Sequence, residues 1–86
     1  MYGVRYTDTA LKQLAKLPRN WRERIIEKVR AVAADPRGSI PNARAMKGGP
    51  FYRLRIGDWR VIYEIDDVIR VVTVVKIGPR GSAYDD

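Results

Sequence analysis

Phe51-Tyr-Arg-Leu-Arg-Ile-Gly-Asp-Trp-Arg-Val-Ile-Tyr-Glu64 decides how this chain folds. Tyr52, Leu54 and Ile56 alternate with Arg53 and Arg55 before Gly57-Asp58; Trp59, Val61 and Tyr63 alternate with Arg60 and Ile62 after it. Period-two alternation on both sides of a two-residue break is the pattern of a β-hairpin. Glycine at the first turn position suits a type II′ turn, which needs positive φ there. With Gly57-Asp58 as the loop, Ile56 faces Trp59, Arg55 faces Arg60 and Leu54 faces Val61. One face then carries Leu54, Ile56, Trp59, Val61 and Tyr63, and the other gathers Arg53, Arg55 and Arg60. Like charges directly opposite one another destabilise a ladder by roughly 0.2–1 kcal/mol. Arginines kept in that position point to an anion. Phosphate comes first, because a guanidinium binds it through two parallel hydrogen bonds.

Downstream, Asp66-Asp67 reads as a second tight turn, and Val68 to Ile77 is β-branched enough for a largely buried strand. Counting across that turn pairs Glu64 with Ile69, Ile62 with Val71 and Arg60 with Thr73, which sets Arg60 near the centre of the sheet. The chain then leaves the sheet at Gly78-Pro79. Upstream, Ser39 to Pro50 reads as a polar connection whose Lys47-Gly48-Gly49 offers backbone amides and an ammonium to a phosphate, although simple turn chemistry accounts for it too. Asp35-Pro-Arg-Gly38 ends a helix in which Trp21, Ile25, Val29 and Val32 recur at the helical period. A shorter helix precedes it, with Thr7 or Asp8 as N-cap and Ala10, Leu11, Leu14 and Leu17 on its apolar side. Pro18 closes the first helix and opens the second. Tyr2 to Tyr6 alternates as a first strand. The order predicts an α+β fold: an N-terminal strand, an antiparallel helix hairpin, then a three-strand antiparallel meander, all in one mostly antiparallel sheet.

At 86 residues the chain has room for one domain. A formal charge of +7 and a pI near 10.1 favour a polyanionic partner, nucleic acid ahead of a membrane surface. There is no Cys and no His, which removes disulfides, thiol nucleophiles and the commonest transition-metal ligand. Acid–base chemistry is left to Tyr, Lys, Arg or a carboxylate. No apolar leader or membrane-spanning run is visible, so a cytoplasmic protein with no membrane partner is expected.

The Tyr-Arg-Leu-Arg-Ile-Gly-Asp-Trp-Arg-Val-Ile-Tyr block, the element order around it and the closing Lys-Ile-Gly-Pro-Arg…Tyr resemble the RelE/ParE superfamily of bacterial toxins. The resemblance covers nearly the whole chain. It implies half of a toxin–antitoxin pair, held inactive by a cognate antitoxin protein, and one of two activities. RelE-type members enter the ribosomal decoding site and cut messenger RNA; ParE-type members inhibit DNA gyrase and cut no RNA. By their places in the matching motif, the basic positions on the sheet fall on Arg53, Arg55 and Arg60. An arginine and a tyrosine after the last strand fall on Arg80 and Tyr84. Lysine is usual at the first two positions, where this chain has arginine, and Gly-His-Arg or Gly-Lys-Arg is usual where Gly78-Pro79-Arg80 stands.

The activity these residues suggest is metal-free cleavage, with the RNA 2′-hydroxyl attacking the adjacent phosphate. Arg60 and Arg80 would stabilise the phosphorane. Arg53, Arg55 and Lys47 would hold phosphates, and Tyr84 would move a proton or stack on a base. Tyr84 could instead pack the C-terminus onto the sheet, and Arg80 could be a solvated arginine. No cofactor is called for. The face carrying Ile62, Val71 and Val75, and any groove beside the helix hairpin, are apolar enough to suit an amphipathic antitoxin segment.

Overall fold

The computed structural model describes residues 1–79. The elements run β1 (Gly3–Tyr6), α1 (Asp8–Ala15), α2 (Arg19–Ala34), β2 (Ala43–Ala45), β3 (Phe51–Ile56), β4 (Trp59–Asp66) and β5 (Val71–Pro79). The expected α+β architecture is present. The strands form one sheet in the order β1-β5-β4-β3-β2, antiparallel throughout except that β1 lies parallel to β5.

Each helix starts where the sequence places it. Thr7 caps α1, its hydroxyl accepting a hydrogen bond from the Ala10 amide at 3.1 Å. The Pro18 carbonyl receives the Trp21 and Arg22 amides at the start of α2. Both helices lie on one face of the sheet. Ala10, Leu14, Leu17, Ile25, Val29, Val32 and Ala33 pack there against Leu54, Ile56, Val61, Tyr63, Val72, Val74 and Ile77. Burying a side chain of this size contributes about 1.5–3 kcal/mol, and among the described residues no helix covers the opposite face of the sheet.

The central hairpin has the register read from the sequence: Ile56 opposite Trp59, Arg55 opposite Arg60 and Leu54 opposite Val61. Gly57 has φ +58 and Asp58 does not enter positive φ, as a type II′ turn requires. Trp21 closes over this turn. A Cβ at Gly57 would lie 2.5 Å from the indole Cη2, so both the backbone angle and the space demand glycine. Trp21 meets Trp59 edge to face with ring centroids 6.4 Å apart, and Arg24 stacks on its outer side. It belongs to the core margin, as its helical spacing implies.

Three expectations need correction. Part of the connection from Ser39 to Pro50 is a strand, β2, with Arg44 opposite Arg53. Its three residues carry too little pattern to be read as a strand, and they become one by pairing with the edge of β3. Second, the turn between β4 and β5 is longer than Asp66-Asp67. The Asp66 carboxylate accepts the Val68 and Ile69 amides at 2.9 and 3.2 Å, and Arg70 adopts φ 56. Val68 and Ile69 are therefore turn residues, 93% and 58% exposed, despite their strand-like side chains. The strand begins at Val71, so Glu64 pairs with Thr73, Ile62 with Lys76 and Arg60 with Gly78. Third, β5 does not end at Ile77 but runs through Pro79, opposite Trp59; a proline is tolerated at a strand end because no ladder donor is needed there.

Candidate functional site

Side chains in register across a sheet share a face, so the pairing places the cations directly. One row across the helix-free face runs Arg44, Arg53, Ile62, Lys76. The next row toward the Gly57 turn runs Arg55, Arg60, Gly78. Opposed side chains in such rows have Cβ atoms about 4.5–5.5 Å apart, and diagonal ones about 7–8 Å apart. Arg53, Arg55 and Arg60 are thus brought together, as the alternation predicts. Arg55 is exposed, whereas Arg53 and Arg60 are half-buried, with Nε and Nη1 of Arg60 out of reach of solvent.

Ile62 forms the floor. It is 6% exposed yet lies outside the helix-side core, enclosed on the open face among Arg53, Lys76 and their neighbours. Long basic side chains can cover an apolar floor with their methylene stems while their charged ends point away from it. Gly78, opposite Arg60, contributes no side chain to this row and is itself buried. At the other end, the row Phe51, Glu64, Thr73, Arg5 brings in an acidic group and bounds the basic patch.

Lys47 does not join the cluster. It sits in the exposed loop between β2 and β3, next to Met46, whose amide bonds the Phe51 carbonyl. From Phe51 to Arg55 is about 13 Å along a strand. Arg80 and Tyr84 lie outside the described residues. The tyrosines within the described range all belong to the helix side. Tyr63 is buried in the core and stacks on Tyr52 at 5.5 Å; burial, and then Tyr52, push its phenol up. Burial likewise raises Tyr6. Tyr2 donates to Asp67 at 2.6 Å, and that bond chiefly raises its pKa. Trp59 and Tyr63 face the core, in agreement with alternation.

The sequence reading missed Lys76 and Arg44. Arg44 lacked a visible strand to place it. Lys76 was hidden by a β-bulge: the register against β4 shifts between Ile62 and Tyr63, leaving Val75 as the extra residue. The signal available was a lone lysine inside a β-branched run, where strict alternation gives no reason for an ammonium.

Two other features flank the face. A cleft beside α2 is lined by Lys28, Ala31, Ile40, Pro41, Asn42, Leu54 and Arg55, a mostly apolar set that includes two basic residues. At the far end of the sheet, Arg37 bonds Asp67 and the Tyr52 hydroxyl, each at 2.6 Å. Among the described residues no group of His, Cys, Asp and Glu could hold a metal ion, and no helix is long and apolar enough to cross a membrane.

The chain is similar in sequence and in fold to known proteins. Residues 4–84 match the family model for the ParE toxin of type II toxin–antitoxin systems. The chain is 30% identical over 79 residues to the mRNA interferase toxin RelE of Escherichia coli K12, spanning 92% of this chain and 83% of that one. Its fold superposes on the intact E. coli RelBE toxin–antitoxin complex with TM-score 0.81 and 25% identity, covering 95% of this chain and 100% of that one. The archaeal RelE–RelB complex from Pyrococcus horikoshii gives TM-score 0.79 at 29% identity, covering 95% and 98%.

Proposed function

Since this chain belongs to the ParE toxin family of type II toxin–antitoxin systems, we propose that it is a toxin that cuts messenger RNA on the ribosome. The observation that carries this reading is the pair of adjacent rows that gather Arg53, Arg55 and Arg60 over Ile62 on the helix-free face. Adjacent phosphates of a single strand meet a fixed set of guanidinium donors there, with no metal required. In the proposed reaction the 2′-oxygen attacks phosphorus and the 5′-oxygen leaves, giving a 2′,3′-cyclic phosphate and a free 5′-hydroxyl. Arg60, with Arg80, stabilises the extra charge of the phosphorane. Arg53 and Arg55 hold flanking phosphates, and Tyr84 orients or deprotonates the sugar. The ribosome supplies the message and its bend. The E. coli relative named an mRNA interferase supports the same activity.

The proposed protein partner is a cognate antitoxin, in keeping with the toxin–antitoxin complexes among the similar structures. An acidic amphipathic segment suits the cleft beside α2, where Lys28 and Arg55 flank Ile40, Pro41 and Leu54.

A second reading, inhibition of DNA gyrase without RNA cleavage, draws on arginine in place of lysine at residues 53 and 55. A guanidinium stays protonated and is no ordinary general base. Primer extension on message in a translating extract separates the two. Breaks within codons that vanish in Arg60→Ala, Arg80→Ala or Tyr84→Ala variants support the nuclease. Intact message with relaxed plasmid DNA accumulating in cells supports the gyrase reading instead.

A further inference from the structure

We propose that Lys76 is the general acid of this RNA cleavage, delivering the proton to the departing 5′-oxygen, and that the β-bulge at Val75 exists to put it there. The inference rests on the nuclease reading.

The register supplies the first support. Beyond the β4–β5 turn, Glu64 pairs with Thr73 and Ile65 with Val72. Continued without interruption, that register would set Lys76 opposite Val61 and drive its ammonium into the helix-side core, where an unpaired charge is prohibitive. The extra residue sets Lys76 opposite Ile62 and Ile77 opposite Val61. The ammonium joins the arginine face, and an isoleucine takes the core position, 2% exposed. A bulge re-aims side chains in this way wherever a strand must change which residue faces a site.

The bulge is also anchored. β1 pairs with β5 only as far as Val74, so beyond it the edge of β5 facing away from β4 has no strand partner among the described residues. The Thr7 amide donates to the Val74 carbonyl at 3.0 Å, and its hydroxyl donates to the Val75 carbonyl at 3.2 Å. The Ile77 amide donates to Gln13 Oε1 at 2.7 Å. The two residues flanking Lys76 are therefore both held by side chains from the start of the chain.

Chemistry supplies the third support. A guanidinium does not release a proton under ordinary conditions, so Arg53, Arg55 and Arg60 bind charge without moving protons. The described tyrosines face the helices, and Lys47 lies at the far end of β3. Lys76 stands diagonal to Arg60 across the ladder, within about 7–8 Å, so an ammonium and a guanidinium can meet at one phosphate. In the step, the 2′-oxygen forms its bond to phosphorus and loses its proton to water. The bond from phosphorus to O5′ breaks with its electron pair on O5′, which takes a proton from the Lys76 ammonium. Water reprotonates the amine.

The test uses the full chain with ribosomes programmed with two messages, one ordinary and one with sulfur replacing O5′ at the cleaved linkage. A thiolate departs without a proton, so loss of the acid is invisible on the sulfur message. Lys76→Ala and Lys76→Gln should each slow cleavage of the ordinary message by about 10²–10⁴-fold and leave the sulfur message cut at nearly the wild-type rate. The glutamine variant serves if the alanine variant fails to fold. Equal loss on both messages, or no loss on either, overturns the role for Lys76 while wild-type cleavage leaves the nuclease reading standing. If the wild-type chain cuts neither message, the nuclease reading falls and this inference falls with it.

Discussion

Gln13 on α1 accepts a hydrogen bond at 2.7 Å from the amide of Ile77 on β5, a residue 64 positions later in the chain. The bond occupies the stretch of β5 that β1 is too short to reach. It lets the bulged half of the strand remain satisfied while its neighbour Lys76 turns to the open face. A buried amide left without its acceptor costs about 1–3 kcal/mol. Gln13→Leu should lower stability by that amount, read as a fall in urea midpoint with unchanged slope. A midpoint equal to that of wild type would mean the amide finds another acceptor.

Gly57 lies under Trp21 at positive φ. Gly57→Ala should destabilise by at least about 1 kcal/mol, because the new methyl meets the indole ring as well as the strained backbone angle. In a Trp21→Ala background the steric part disappears and only the conformational part remains. A double-mutant cycle in thermal denaturation separates them, and a coupling near zero would exclude the contact.

Asp67 bonds both Arg37 and Tyr2, and those partners, Arg37 first, hold its carboxyl below the ordinary 3.8. A carboxyl lowered in the folded state stabilises above its unfolded value and loses that contribution as pH falls through the folded one. The stability difference between wild type and Asp67→Asn should therefore be constant near neutrality and shrink on acidification below pH 3.8. Urea midpoints taken between neutral and strongly acid pH check this. A difference that stays constant through the acid range would show that the network does not depend on the carboxylate charge.

Arg55 opposite Arg60 is a like-charge pair in a ladder, a placement that by itself opposes folding by roughly 0.2–1 kcal/mol and that a bound anion would offset. Inorganic phosphate should raise the Tm of the wild-type chain more than chloride at equal ionic strength. The increment should shrink in Arg55→Thr, which still feels the general salting effect of phosphate. Cleavage by that variant should fall at least about tenfold, the equivalent of 1.4 kcal/mol. Equal increments in both proteins would mean that the pair does not bind the anion.

Local pattern is enough for the hairpin, the helices and the division of the sheet into an apolar and a basic face. Each follows from local rules: side chains alternate along a strand, apolar residues repeat along a helix, and Gly57 marks where the chain reverses. Those rules alone put Arg53, Arg55 and Arg60 together. The register of β5 lay beyond them, because the Asp66 carboxylate folds the β-branched Val68 and Ile69 into the turn. β2 was equally invisible, since its three residues become a strand only against the exposed edge of β3. Lys76 was decided by tertiary structure alone. Its facing depends on one extra residue in β5, stabilised by Thr7 and Gln13 from the opposite end of the chain, and a contact at that separation leaves no periodic trace in the residues around the lysine.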